Sequence, residues 1–258
     1  MVLHPLYSVA GVAVGILVGL TGVGGGSLMT PLLVLAFGFH PATAVGTDLL
    51  YASATKTAGT VVHNATGTVD WRVVRRLAMG SAPAALLTLF VLAYVGTKFA
   101  GTERVITFML GLGLIATAIA MVLRSRIIAY VSRRFEPMSA QRVERLTVIL
   151  GAVLGVLVSL SSVGAGAIGM TALLVLYPQL PTNRLVGSDI AHAVPLTLIA
   201  GMGHLAMGSV DLGLLISLLL GSVPGIILGS LVSARVPDSV LRPILAGTLA
   251  LVGGKLIF

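Results

Sequence analysis

The sequence predicts an all-α integral membrane protein made of two homologous repeats. Each repeat has about four hydrophobic segments, about eight in total, and its first segment is broken into a re-entrant helical hairpin at a glycine-rich turn. Composition carries the first part of that reading: of 258 residues, 57% are hydrophobic and only 9% charged. The mean hydropathy of +1.07 is higher than the core of a soluble domain needs. A phrase written twice carries the second part. Gly15-Ile-Leu-Val-Gly-Leu-Thr-Gly-Val-Gly24-Gly25-Gly26 near the start returns as Gly155-Val-Leu-Val-Ser-Leu-Ser-Ser-Val-Gly164-Ala165-Gly166 near the middle. Glycine-rich breaks at corresponding places in two apolar halves point to the binding site of a transporter.

In chain order, apolar segments lie at about 6–22, 28–38, 42–63, 72–95 and 104–123, then at about 147–162, 168–177, 183–204, 212–233 and 239–257. Runs long enough for a hydrocarbon layer of roughly 30 Å recur along the whole chain. Shifting the second half back by about 141 positions aligns Gly46-Thr47-Asp48 with Gly187-Ser188-Asp189 and His63 with His204. The same shift aligns Gly67 with Gly208, Asp70 with Asp211, and Gly80-Ser81-Ala82-Pro83 with Gly221-Ser222-Val223-Pro224. The domain reading is therefore an N-terminal transmembrane repeat (1–123), a basic cytoplasmic linker (124–146) and a C-terminal transmembrane repeat (147–258). The linker holds six arginines between Arg124 and Arg145, together with Glu136, Pro137 and Glu144.

Loop charge speaks to orientation. The loop after His63 carries Arg72, Arg75 and Arg76, whereas its counterpart after His204 carries no Lys or Arg and one acid, Asp211. By the positive-inside rule these equivalent loops prefer opposite sides, which makes the repeat inverted. Inversion needs an odd number of crossings per half, met if residues 6–38 enter and leave by one face. About 12 residues after the glycines reach only about 18 Å at about 1.5 Å per residue, too short to cross. One long kinked helix there, giving parallel repeats, is the rival arrangement.

Two short helices beginning at the glycine turns would aim unpaired N–H groups, worth about half a positive charge each, at the membrane interior. The implied ligand is an anion. Ser27 is placed to cap a helix from Leu28, with Pro31 in its first turn. Ala167 offers no cap in the second half. Unwound backbone at membrane depth survives only when buried in protein or lining a wet cavity. Gly11, Gly15 and Gly19, and Gly151 and Gly155, recur every four residues and read as close helix packing.

Gly-Val-Gly-Gly-Gly-Ser-Leu-Met-Thr-Pro-Leu-Leu at 22–33, Val-Gly-Thr-Asp at 45–48, His63 and the repeated eight-segment plan resemble the sulfite exporter TauE/SafE family of membrane permeases. The resemblance covers nearly the full chain. It implies transport of sulfite, related sulfur oxyanions or organosulfonates across the inner (cytoplasmic) membrane, commonly as export. The second half departs from the first at Ala165, Ala167 and Thr171, the last standing where Pro31 stands.

The ionisable residues are few. Asp48 and Asp189 lie within apolar segments, where a charge costs about 2.5–3.5 kcal/mol on insertion scales. Each either binds a neighbouring turn or couples transport to protons. Lys56 sits near the middle of its segment and its repeat counterpart is Thr197, so a cation stands on one side of the pseudosymmetry. It could neutralise an anion, snorkel to the interface, or pair with Asp48, although the eight-residue spacing puts those two off a common face. His63 and His204 end matching helices and read as partners of the last carbonyls. His192 precedes Pro195, a kink, and either titrates or bonds structurally.

These pieces make a set of expected roles. Substrate binding falls to Thr21, Gly24, Gly25, Gly26, Ser27, Lys56, Ser161, Ser162, Gly164, Ala165, Gly166 and Ala167; proton coupling falls to Asp48, Asp189 and His192. The partners are a small anionic substrate and the lipid bilayer, and assembly as a homo-oligomer is compatible with the sequence. Nucleic acid is excluded as a partner, because the net charge of +8 resides mainly in short loops beside apolar segments. No cofactor, metal site or catalytic residue is expected. Zero cysteines exclude thiolate sites and disulfides. No cleaved signal peptide is expected, since the first apolar segment belongs to the repeat. The competing functions are a passive anion channel, a permease for another small organic anion, an intramembrane hydrolase and a scaffold subunit. The hydrolase lacks a Gly-x-Ser-x-Gly or His-Glu-x-x-His motif, and the scaffold gives no reason for a duplicated helix break.

Overall fold

A computed structural model describes residues 5–21, 26–96, 102–134, 138–164, 166–233 and 238–257. All regular structure among them is helical. The first half gives α1 (Pro5–Thr21), α2 (Gly26–Leu35), α3 (Pro41–Ala65), α4 (Trp71–Gly96) and α5 (Thr102–Arg134). The second gives α6 (Ala140–Ser161), α7 (Ala167–Leu176), α8 (Thr182–Ala206), α9 (Leu212–Ser233) and α10 (Asp238–Ile257). Among the described residues, four helical stretches are long and apolar enough to cross a membrane: Trp71–Val95, Ile106–Tyr130, Ala140–Ser161 and Thr182–Ala206. Exposed Leu86, Leu87, Phe90 and Val91 on α4 would be anomalous in water but suit lipid.

The basic stretch 124–146 is mostly helical: α5 continues to Arg134 and α6 begins at Ala140, where Ser139 accepts the Arg142 N–H. α2 begins at Gly26, earlier than expected, so Ser27 lies inside its first turn and is not its N-cap. Pro31 is consequently deeper in α2 than its first turn.

Corresponding helices make corresponding contacts across the halves. The most extensive packing is α1 on α9 and its counterpart α6 on α4, followed by α3 on α8 and α5 on α10. Glycines permit it. A Cβ on Gly151 or Gly80 would strike the Leu77 or Val148 carbonyl, and one on Gly11 or Gly221 the Leu218 or Ser8 carbonyl. The backbones meet directly, as small-residue helix packing allows.

α3 and α8 run antiparallel, with Leu50 against Gly201 and Gly59 against Ile190, and their ends exchange hydrogen bonds. The Asp211 N–H donates to Thr47 Oγ1 at 3.1 Å and the Asp70 N–H to Ser188 Oγ at 2.8 Å. The carboxylates of the same two aspartates cap the next helices: Asp70 accepts from Arg72 and Val73, and Asp211 from Leu214.

The offset between halves locates one difference. α2, α3 and α4 start 141 residues before α7, α8 and α9, but α1 ends 140 before α6. The second glycine turn is one residue longer. Thr171 therefore stands opposite Thr30, and the expectation that it replaces Pro31 is corrected.

Candidate functional site

Asp48 sits in the third turn of α3, fully buried. Thr30 in α2 is also fully buried and donates its hydroxyl to Asp48 Oδ2 at 2.5 Å. The second-half turn reaches the same carboxylate. Ser162 Oγ approaches Asp48 without meeting hydrogen-bond geometry, and both Ser162 Oγ and Asp48 Oδ1 are buried with no partner among the described residues. Ser162 is left-handed, at φ 57°, and Gly164 follows at φ 112°. Such a reversal strains a residue with a side chain and suits glycine, and it ends α6 inside the bundle instead of at a surface.

The counterpart, Asp189 in α8, is 7% exposed. It has lost the hydroxyl its sister has. Thr171 donates instead to the Ala167 carbonyl of its own helix at 2.7 Å, and Asp189 Oδ1 is buried without a partner among the described residues. α7 passes so near that a Cβ on Gly169 would lie 2.9 Å from that oxygen. Burying an unpaired carboxylate is expensive unless a charge compensates it.

Lys56 of α3 is the cation in its electrostatic surroundings. The antiparallel register places Asp189 about one turn of α3 beyond Lys56 and Asp48 about two turns before it. Lys56 interacts electrostatically with Asp189 first and with Asp48 second, and with His192 as well. Its counterpart Thr197 donates to the Ala193 carbonyl of its own helix.

The remaining sequence-derived candidates divide. Gly24, Gly25 and Ala165 lie outside the described residues. Thr21 ends α1, Gly26 opens α2, and Ser27 follows it. Gly166 precedes Ala167, the first residue of α7. Ser161 commits its hydroxyl to the Leu157 carbonyl and accepts the Val163 N–H, as serines in membrane helices usually do. His192 Nε2 bonds Ser81 Oγ at 2.8 Å while its Nδ1 is buried without a partner.

The two helix-end histidines do not serve the last carbonyls of their own helices. His204 Nε2–H donates to the Ser159 carbonyl of α6 at 2.9 Å, and His63 Nδ1 bonds Thr68 Oγ1 at 2.8 Å. Side chains projecting from the ends of α3 and α8 meet a neighbouring element before they can fold back. Thr30 was not singled out from the sequence. Its signal was present, because the 141-residue shift pairs it with Thr171, each followed eighteen residues later by an aspartate.

Where α4, α6 and α7 converge, Arg76 reaches Glu144 at 3.1 Å and the Tyr177 hydroxyl at 3.4 Å. Thr147 donates to Val143, so Tyr177 donates to Thr147 at 2.8 Å. At the corresponding place in the first half, Tyr7 meets Phe37 and Phe39 edge-on, with centroids at 5.3 and 5.5 Å.

Residues 7–256 match the model of a family described as sulfite exporter TauE/SafE. The chain is 38% identical over 252 residues to a probable membrane transporter protein, YjnA, of Bacillus subtilis, covering 96% of this chain and 97% of that one. It is 26% identical over 250 residues to a second from that organism, YdhB, covering 95% and 96%. It is 26% identical over 214 residues to MJ0441 of Methanocaldococcus jannaschii, covering 78% and 72%. No solved structure matches the chain significantly. The chain belongs to the sulfite exporter TauE/SafE family and is a multi-pass membrane permease.

Proposed function

We propose that this TauE/SafE family member is a secondary carrier for small sulfur-containing anions, sulfite or organosulfonates, working across the inner membrane. Export is the direction its family's description implies. The observation that carries the reading is Lys56: a partly buried cation on a helix of an apolar bundle, which the antiparallel register of α3 and α8 sets between Asp48 and Asp189, with unpaired polar groups buried in both halves. An anion entering such a place meets one positive charge at low dielectric, where Coulomb attraction is several-fold stronger than in water. In this reading the backbone N–H groups of Gly26 and Ser27 at the start of α2 and of Gly166 and Ala167 at the start of α7, with the Ser162 hydroxyl, would line its route.

The repeats are inverted in this reading. Equivalent helices α3 and α8 lie antiparallel and exchange the Thr47–Asp211 and Ser188–Asp70 bonds. A twofold axis relating two antiparallel helices is perpendicular to both, hence in the membrane plane. α1 with α2, and α6 with α7, form re-entrant hairpins, supported by Tyr7 meeting Phe37 and by Thr147 meeting Tyr177. Rocking of one half against the other would expose Lys56 to each side in turn.

Sulfite flux into proteoliposomes tests the reading, with sulfate and a small sulfonate as competitors. Saturable flux, lost in Lys56→Gln and in Gly25→Leu, is expected. Flux no greater than in empty liposomes, with folded protein confirmed, would remove sulfite as the substrate. Flux linear in concentration would make the protein a channel.

A further inference from the structure

The α6 helix ends inside the bundle, and what meets its end is a carboxylate. Val45 and Leu49, on either side of Asp48, pack in one cluster with Leu154 and Val158 of α6. A Cβ on Gly46 would lie 2.8 Å from the His204 Cβ, and the His204 ring bonds the Ser159 carbonyl, three residues before Ser162. Ser162 is left-handed, at φ 57°, which turns the chain just past the last turn of α6 and leaves its hydroxyl beside Asp48. From the other side, the Thr30 hydroxyl of α2 donates to Asp48 Oδ2 at 2.5 Å. Asp48 Oδ1 and Ser162 Oγ are buried with no hydrogen-bond partner among the described residues, on residues only 0% and 6% exposed. We propose that these oxygens hold a small monovalent cation, a sodium ion, bound by the Asp48 carboxylate, the Thr30 and Ser162 hydroxyls and the carbonyls that end α6.

A buried carboxylate needs a cation or a proton beside it. Lys56 of the same helix stands eight residues further on, about 12 Å along the axis and off the Asp48 face. A proton on Oδ1 would make that atom a donor and draw Ser162 Oγ into a hydrogen bond, whereas the two oxygens stand near each other without one. Two neighbouring acceptors with no hydrogen between them are satisfied together by an ion. The helix end adds to this, because its last carbonyls carry about half a negative charge, and such ends in broken membrane helices coordinate sodium. Ligand type then sets the ion. Carboxylate, hydroxyl and carbonyl oxygens suit a hard cation, and no sulfur or imidazole belongs to the set. One carboxylate balances one positive charge, and among the described residues no three of His, Cys, Asp and Glu gather as a divalent ion would favour. The repeat counterpart is built otherwise: Thr171 gives its hydroxyl to Ala167, and the Gly169 backbone lies beside Asp189. One site per chain follows. Thr30 and Asp48 belong to the first half and Ser162 to the second, so the ion ties the halves together where rocking would part them. The site does not depend on which anion is carried.

Thermal unfolding of the purified full chain, titrated with sodium chloride while choline chloride holds ionic strength constant, tests this without any anionic substrate. A ligand that binds only the folded state raises the midpoint saturably, so the wild type should gain stability with sodium and not with choline. Binding of radioactive sodium should saturate at one ion per chain. Asp48→Asn should abolish both responses. Ser162→Gly keeps the left-handed turn, which glycine adopts without strain, so it should unfold at the wild-type temperature in sodium-free buffer yet bind sodium about tenfold more weakly. Asp189→Asn and Thr171→Val should leave sodium affinity unchanged. A wild type that responds equally to sodium and choline, or binds no sodium, overturns the inference and leaves Asp48 to a proton. A sodium response that survives both Asp48→Asn and Ser162→Gly, or that is lost in Asp189→Asn, overturns the placement. In each of these cases the permease reading stands, because sulfite flux is measured separately.

Discussion

The two aspartates, Asp48 and Asp189, occupy the same position in two copies of one fold and have opposite surroundings. Asp48 is held by the Thr30 hydroxyl and approached by Ser162; Asp189 has the bare Gly169 backbone beside it and no donor to its Oδ1 among the described residues. The frame between them is the same. Glycine contacts recur in both halves, and the Thr47 and Ser188 bonds are mirror copies. The packing contacts recur in the two halves, while the polar partners of the two aspartates differ. Packing at backbone distance tolerates no added atom, while a polar residue can be exchanged wherever another group compensates it.

The comparison can be broken at its frame, with the largest effect. Gly80→Leu and its counterpart Gly221→Leu should each abolish folded, monodisperse protein on size exclusion, because a side chain there meets a carbonyl of the other half. The alanine versions should cost about 1–3 kcal/mol each in thermal unfolding. Equal losses at both positions would confirm that the two halves share one packing frame.

At the diverged positions the two halves should answer differently. Thr30→Val removes the donor on which Asp48 depends and should destabilise by about 1–3 kcal/mol. Thr171→Val removes a bond within a single helix and should cost less than about 0.5 kcal/mol, as Ser and Thr back-bonds add little. Equal effects in calorimetry would erase the asymmetry.

Smaller effects sharpen it. Thr47→Val and Ser188→Ala each delete an acceptor for a backbone N–H across the halves and should cost about 0.5–1.5 kcal/mol apiece. The cost of the double variant should equal the sum of the two, since the sites lie at opposite ends of the α3–α8 pair. Smallest is Arg76→Gln, at about 0.2–1 kcal/mol, because its partner Glu144 is half-exposed. That loss should shrink in high salt, whereas replacing Phe37 in the aromatic counterpart should give a salt-independent loss.

Much of this was legible in the chain. Among the described residues, ten helices lie within a few residues of the ten apolar segments, apart from the longer reach of α5 to Arg134 and the early start of α6 at Ala140. Both exceptions fall in charged sequence, where hydropathy gives no boundary but helix propensity continues. The repeat pairs Asp70 with Asp211 and Thr47 with Ser188, and these pairs do the same jobs. The eight-residue spacing from Asp48 to Lys56 argues against a same-face pair, and spacing along one helix could not reveal that the antiparallel register sets Asp189 of α8 about one turn of α3 from Lys56.

The sequence by itself determined the membrane class, the helix order, the duplication and the short list of intramembrane charges, because composition, period and self-similarity are properties of the chain read locally. Only the tertiary structure decided which groups meet, Thr30 with Asp48 and the Gly169 backbone with Asp189. That depends on antiparallel register between helices well over a hundred residues apart, and on a single extra residue in the second turn. The residue types of Thr30, Thr171, Asp48 and Asp189 permit many pairings, and the ones realised follow from where glycine lets backbone approach.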